Sequence, residues 1–363
     1  MLSRQLDKIK RTALFCSVPF CFVLVTVLSV LLMSACAPST TYKTYDFSGS
    51  IFGTQYQIIF VSDKKIDKET IEQEIQQKLD YIDQLASHYR QDSALARLNK
   101  APVNTDIAVN PDLYYLLSLA KDIYQRTHGF FDITLAPLIN FWGFGTDKQR
   151  KKLPEKHRVT ALLKQIGSDK FTLFTKAEKC YLNKQLPLSF NLSAITEGYA
   201  ADQIASLLES HAIKNYLVSI AGAIRVKGHK ASGQPWQIAI EAPLFNQRAP
   251  YKKINANRMD YIAMSTSGDY RNFYLLEGQM LTHIIDPTTG WPIENTFASV
   301  TVIADTAAEA DAYATALTAM GREGAWQFAQ QYALKAYFIA RDQQNNNLTG
   351  KATDAFSVFM AYK

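Results

Sequence analysis

Any fold of this chain must accommodate residues 282–321, where a turn, a strand and a capped helix follow one another without a break. His283 leads into Asp286-Pro287-Thr288-Thr289-Gly290, a run of turn-forming residues. Residues 298–304 then read as a strand, with Val300 and Val302 on one face. Thr306 with Glu309 three residues on is a capping box, and the alanine-rich helix it opens stops at Gly321. On that helix Asp311 and Thr315 are four apart, so a carboxylate and a hydroxyl share one face. A hard cation such as Mg²⁺ takes oxygen donors of this kind, completed by water and substrate phosphates. The same spacing is common on solvated helix faces, so the pair alone does not decide for a metal.

The rest of the chain alternates strands with helices. Tyr56, Ile58 and Phe60 mark a strand over 55–61, and Ile71, Ile75, Leu79, Ile82 and Leu85 an amphipathic helix. A second helix starts with Asn110 as N-cap and Pro111 at its first position, and ends near His128-Gly129. A third runs on from Gly198, with Ile204, Leu207 and Leu208 facing inward. Residues 215–225 are a strand ending at the small-residue turn Ala221-Gly222, and 236–240 another. Residues 265–271 are expected as a loop, and 336–340 and 356–361 as the closing strands. Residues 147–158 read as a basic, polar surface insertion. No strict βαβ rhythm is present and no Gly-x-Gly-x-x-Gly follows a strand. The fold class is therefore α+β, with mixed sheets and packed helices, and not a Rossmann fold.

Several strings, in order, carry a resemblance. They are Phe52-Gly53-Thr54, then Gly129 to Pro137 followed by Trp142-Gly143-Phe144, then Asn191 to Tyr199. After them come Thr266-Ser267-Gly268-Asp269-Tyr270 and HIIDPTTG followed by ADAYATAL. Together they resemble the ApbE family of flavin transferases from Phe52 to the carboxyl terminus. The resemblance implies a T-fold-like architecture and an enzyme that takes FAD and attaches its FMN half to a threonine of a target protein, releasing AMP. It also implies Mg²⁺ on Asp311, Thr315 and the backbone carbonyl of Ala194. Contacts to FAD would come from Phe52, Tyr89, Phe130, Phe131, Asp132, Asn191, Glu197 and Thr282. Phe52 stands where the family has Met, Asn191 where it has Asp, and Ala221 where it often has a second Gly.

Phosphoryl transfer of this kind asks the protein mainly to position groups and neutralise a diphosphate. His283 is the candidate general base, the one titratable group of that signature suited to neutral pH; the alternative is a histidine that holds the Asp286-Pro287 turn. Two other functions stay open: an FAD pyrophosphatase giving FMN and AMP, and a periplasmic carrier that only binds FAD. The family's acceptors are subunits of the sodium-pumping NADH:quinone reductase and of the related Rnf complex.

The amino terminus bears on location. Arg4, Lys8, Lys10 and Arg11 precede an apolar run over 12–33, and Met33-Ser34-Ala35 lead to Cys36. A basic start, an apolar stretch and small residues before a cut make a secretory signal. With cysteine at the cut it resembles a bacterial lipoprotein signal, and Cys36 is the expected lipidation site; an uncleaved membrane anchor is the alternative. Ala37 after the cysteine points to the outer membrane, on its periplasmic side. The expected organisation is a signal over 1–36, a tether over 37–46 and the flavin-transferase domain over 47–363. Only Cys180 then remains in the folded part, which cannot staple itself internally and must rest on its core. Of the net charge of +6, four basic residues and Asp7 belong to the signal, leaving about +3. That is too mild to argue for nucleic acid. The six histidines are scattered, and none pairs with a cysteine as a zinc site would require.

Overall fold

Eight antiparallel strands form the main sheet of the computed structural model, which describes residues 42–147, 149–245, 247–268, 270, 272–294, 297–342 and 345–360. Hairpin β1 (Lys43–Ile51) and β2 (Thr54–Ser62) comes first among the described residues, followed by helices α1 (Lys68–Ala86) and α2 (Ala94–Lys100). Next come β3 (Ile107–Val109), α3 (Pro111–Arg126), α4 (Ala136–Phe141), α5 (Lys156–Leu163) and the hairpin β4 (Phe171–Lys176) and β5 (Lys179–Lys184). Helix α6 (Ser193–Ser210) leads to β6 (Asn215–Ile220), β7 (Ala223–Lys227), β8 (Gln237–Glu241), β9 (Pro250–Asn255) and β10 (Tyr261–Gly268). The chain closes with β11 (Phe273–Leu276), β12 (Gln279–Thr282), β13 (Ser299–Ala304), α7 (Ala307–Ala319), α8 (Gly321–Gln331), β14 (Lys335–Arg341), β15 (Leu348–Ala352) and the single turn α9 (Asp354–Ser357). The sheet order is β1-β2-β6-β7-β10-β13-β14-β15. The expected α+β class holds.

Side-chain alternation gives the sheet two buried faces. Phe60, Val218, Val300, Val302 and Phe338 point to one, where α1, α6 and α7 cover them. Ile262, Ile303 and Ile339 point to the other, covered by Trp236, Ile238, Ile240 and Ile254 of the β8–β9 ribbon and by Phe356 and Phe359. A satellite core around Trp142 joins α4, α5 and the β11–β12 hairpin.

Three expectations need correction. Residues 356–361 are not the last strand. Phe356, Val358 and Met360 alternate, but burial goes to Phe356 and Phe359, three apart, while Val358 stays half exposed. Thr353 caps that helical turn, accepting from the Phe356 N–H at 3.3 Å; Ala361 lies outside the described residues. The last strand is instead the polar edge β15, where a side chain at Gly350 would strike the Tyr337 ring. Ser265 to Gly268 belong to β10 rather than to a loop. The stretch 43–46, expected as tether, pairs with β2 because Tyr45 is buried and stacks on Phe60, ring centroids 4.8 Å apart. Cys36 and the apolar run before it lie outside the described residues.

Candidate active site

A cleft of about 770 Å³ collects most of the residues expected to act. Its rim includes two tight turns. Ile51 pairs with Thr54, so Phe52-Gly53 is a two-residue hairpin loop, with φ +55° and +78°. A phenylalanine there is strained, and the turn places it on the cleft wall. The β6–β7 turn is similar: Ala221 sits at φ +53°, while a Cβ on Gly222 would lie 2.8 Å from the Thr266 carbonyl oxygen. The glycine retained is thus the one that close approach requires. Alanine at 221 costs backbone strain, not a clash.

The floor is where α6 crosses the start of α7. A Cβ on Gly198 would lie 2.2 Å from the Ala307 carbonyl oxygen, so only glycine lets the two helices touch. Asp202, one turn on, accepts the Ala307 and Ala308 N–H groups, each at 3.0 Å, and so satisfies orphan donors of α7. Arg225 pairs with Asp202 at 3.3 Å. The contact sets Asp311 in place: its Oδ2 accepts the Gly198 N–H at 3.2 Å and its Oδ1 the Ser265 hydroxyl at 2.9 Å. The Ala194 carbonyl holds the helical acceptor position for that same Gly198 N–H, so it and the Asp311 carboxylate converge on one donor. Gly198→Ala is expected to cost about 3 kcal/mol in stability through this backbone clash and to weaken ligand binding in the cleft. A thermal melt within a degree of wild type would contradict the close crossing.

Burial pushes the Asp311 carboxyl up to about 7; the two hydrogen bonds oppose this and the Asp202 carboxylate adds to it. No described cation pairs with Asp311. A buried carboxylate with a hydroxyl-bearing residue one helical turn on, at Thr315, suits a hard divalent cation. Both Thr315 and Ala194 line the cleft with it. Among the described residues no cluster of three or more His, Cys, Asp or Glu exists that would compete as a metal centre.

His283 reaches the cleft from the end of β12. Its Nδ1 lies 3.1 Å from the Asn272 carbonyl oxygen, which can only accept, so Nδ1 carries the proton and neutral Nε2 keeps its lone pair. Burial pushes the imidazole below its ordinary value, and the Asn272 bond only partly offsets this. The Asp286 turn does not depend on His283. Asp286 Oδ1 accepts the Thr288 N–H and hydroxyl at 2.8 and 2.7 Å, and its Oδ2 the Thr289 hydroxyl at 3.0 Å.

Phe52, Tyr89, Phe130, Phe131, Asp132, Asn191 and Glu197 all line the same cleft. Tyr89 is 56 % exposed. Asp132 Oδ1 is committed to its own loop, accepting from the Thr134 N–H, the Thr134 hydroxyl and the Ser168 hydroxyl at 2.7–2.9 Å. Asn191 Oδ1 accepts the Ser193 N–H at 2.9 Å and starts α6. Thr282 is set apart: it is buried, lies outside the lining and directs its hydroxyl to the Ile284 carbonyl oxygen at 3.4 Å. Sequence reasoning passed over His88, whose Nδ1 meets the Ser193 hydroxyl at 3.1 Å and whose ring contacts Tyr89 at 3.8 Å. It also read Ser265 as a loop hydroxyl, not as the partner of Asp311. Neither role has a local signal, because both depend on strands and helices distant in sequence.

The fold of this chain superposes on those of solved flavin transferases. The flavin transferase ApbE from Vibrio cholerae superposes with a TM-score of 0.77 at 32% identity, over 88% of this chain and 99% of that one. The apo flavinyl transferase ApbE of Pseudomonas stutzeri gives 0.77 at 30% identity, over 89% and 98%. The FAD:protein FMN transferase of Haemophilus influenzae is 37% identical over 338 residues, 92% of this chain and 96% of that protein. Residues 52–338 match the sequence profile of the ApbE family. The chain belongs to the ApbE family.

Proposed function

We infer that the chain is an FAD:protein FMN transferase, and that the transfer goes to a threonine hydroxyl with AMP as leaving group. The observation that carries the chemistry is the buried Asp311 carboxylate in one cleft with His283. A new bond joins the threonine Oγ to the FMN-side phosphorus of FAD, the bond from that phosphorus to the bridging oxygen breaks, and AMP departs with the electron pair. The threonine proton passes to His283 Nε2, which is free to take it because Nδ1 is held by Asn272. Asp311, Thr315 and the Ala194 carbonyl would hold Mg²⁺, which when bound neutralises charge on the diphosphate. Phe52, Tyr89, Phe130 and Phe131 offer the aromatic surface for the isoalloxazine, and Asn191 and Glu197 offer polar contacts from α6. The acceptors fitting this reading are subunits of a sodium-pumping NADH:quinone reductase or an Rnf-type complex. Incubation with FAD, Mg²⁺ and such a subunit should add the mass of FMN to it and leave a fluorescent band on a gel. AMP without labelled protein would mark a pyrophosphatase, and neither product a carrier.

We further propose that the enzyme sits at the periplasmic side of a membrane, anchored through Cys36, on the strength of the basic start, the apolar run and Met33-Ser34-Ala35 before Cys36. Cys36→Ser should then leave an unprocessed precursor without lipid. Intact mass of the membrane-extracted wild type tests this: a protein that keeps residue 1 and carries no lipid would overturn the anchor.

A further inference from the structure

The cleft that takes an anionic substrate is lined with acid. Asp83, Asp132, Glu197, Glu241 and Asp311 line it, and Asp83 pairs with Arg90 at 3.4 Å. Among the described lining residues Arg248 is the one lysine or arginine. We propose that Arg248 is a binding residue for the diphosphate of FAD, its guanidinium holding phosphate oxygens that the carboxylate-rich walls would otherwise repel. The proposal rests on the FAD-transferase reading above.

The loop between β8 and β9 carries Arg248, and its surroundings are built to present that side chain. At its base the Ala242 N–H donates to the Ala249 carbonyl oxygen at 2.8 Å. Arg341 donates to the Pro243 carbonyl oxygen and lies over the Phe245 ring, 4.2 Å from its centroid. Phe245 packs in turn against Phe273 at the root of β11, ring centroids 5.2 Å apart. The guanidinium of Arg341 is thus committed to the loop, and that of Arg225 to Asp202. Arg248 is exposed and makes no hydrogen bond or ion pair with any described residue. Its fork of donors matches a phosphate in a way that an ammonium does not. Asp311 is carried by α7 and Arg248 by the β8–β9 loop, and both line the same cleft as Ala239 and Glu241 of β8.

The test compares FAD with riboflavin, which has the same ring system and no phosphate, by flavin-fluorescence titration in Mg²⁺. Arg248→Ala should raise the FAD dissociation constant about ten- to hundredfold and leave riboflavin affinity within about twofold. Arg248→Glu should weaken FAD further still. FAD affinity unchanged in Arg248→Ala, or a parallel loss for riboflavin, would overturn the proposal. A wild-type protein that fails to bind FAD would instead sink the reading on which it rests.

Discussion

Asp311→Ala is expected to lower the rate of FMN transfer by about 10³-fold or more, since charge neutralisation at a diphosphate is worth several kcal/mol. FAD binding should weaken only in part, because the aromatic and backbone contacts of the cleft remain. Transfer undiminished at limiting Mg²⁺ would remove Asp311 from the ligand set. A second readout needs no turnover. The folded carboxyl titrates near 7, far above its unfolded value, so the folded chain holds an extra proton between about pH 4 and about pH 7. Stability from this group is therefore present at low pH and is lost as pH rises through 7. Metal binding requires the deprotonated form and relieves the buried charge. Mg²⁺ should then raise Tm more at about pH 8 than at about pH 6, and not at all in the variant. A Mg²⁺-induced rise that survives in Asp311→Ala would place the ion elsewhere.

What the sequence could show of this site was set by how local each signal is. Thr306 before Glu309 is a local code, and the structure has the Glu309 N–H on the Thr306 hydroxyl at 3.1 Å. Asn110 ahead of Pro111 is another, with the Asp112 N–H on Asn110 at 2.8 Å. The alternation in 298–304 fixed which side of β13 faces the helices. The terminal error came from the same rule: Phe356, Val358 and Met360 satisfy a period of two, yet Thr353 caps a turn in which Phe356 and Phe359 are buried.

The partners of Asp311 follow no such code. Ser265 and Gly198 lie 46 and 113 residues from it. Only the β10–β13 pairing and the α6–α7 crossing bring them to one carboxylate. The need for glycine at 198 is invisible in composition and plain in space, since it depends on the Ala307 carbonyl across the interface. His283 was legible as a titratable residue in a turn signature. Its tautomer was not, because Asn272 becomes its neighbour only when β11 and β12 pair and bring the ends of the hairpin together. A cleft built from turns and helix starts hides its electrostatics until the sheet is assembled.

His283→Ala is expected to lose on the order of 10²–10⁴ in single-turnover transfer, the usual contribution of a positioned base. FAD affinity should stay close to wild type, because a base acts mainly in the transition state. The pH profile carries the sign. Burial holds the imidazole below its ordinary value, so the wild-type rate should rise through a midpoint below about 6.5 and be flat above it. The variant should lack that limb. Loss of the Asn272 bond alone could also slow transfer by loosening the hairpin, and a second substitution separates the two causes. His283→Asn can still donate an amide N–H to the Asn272 carbonyl but has no counterpart of Nε2. It should keep the wild-type Tm with and without FAD and be as slow as His283→Ala. If His283→Asn restores the rate, or if His283→Ala keeps the acid limb while melting early, the imidazole braces β12 and takes no proton.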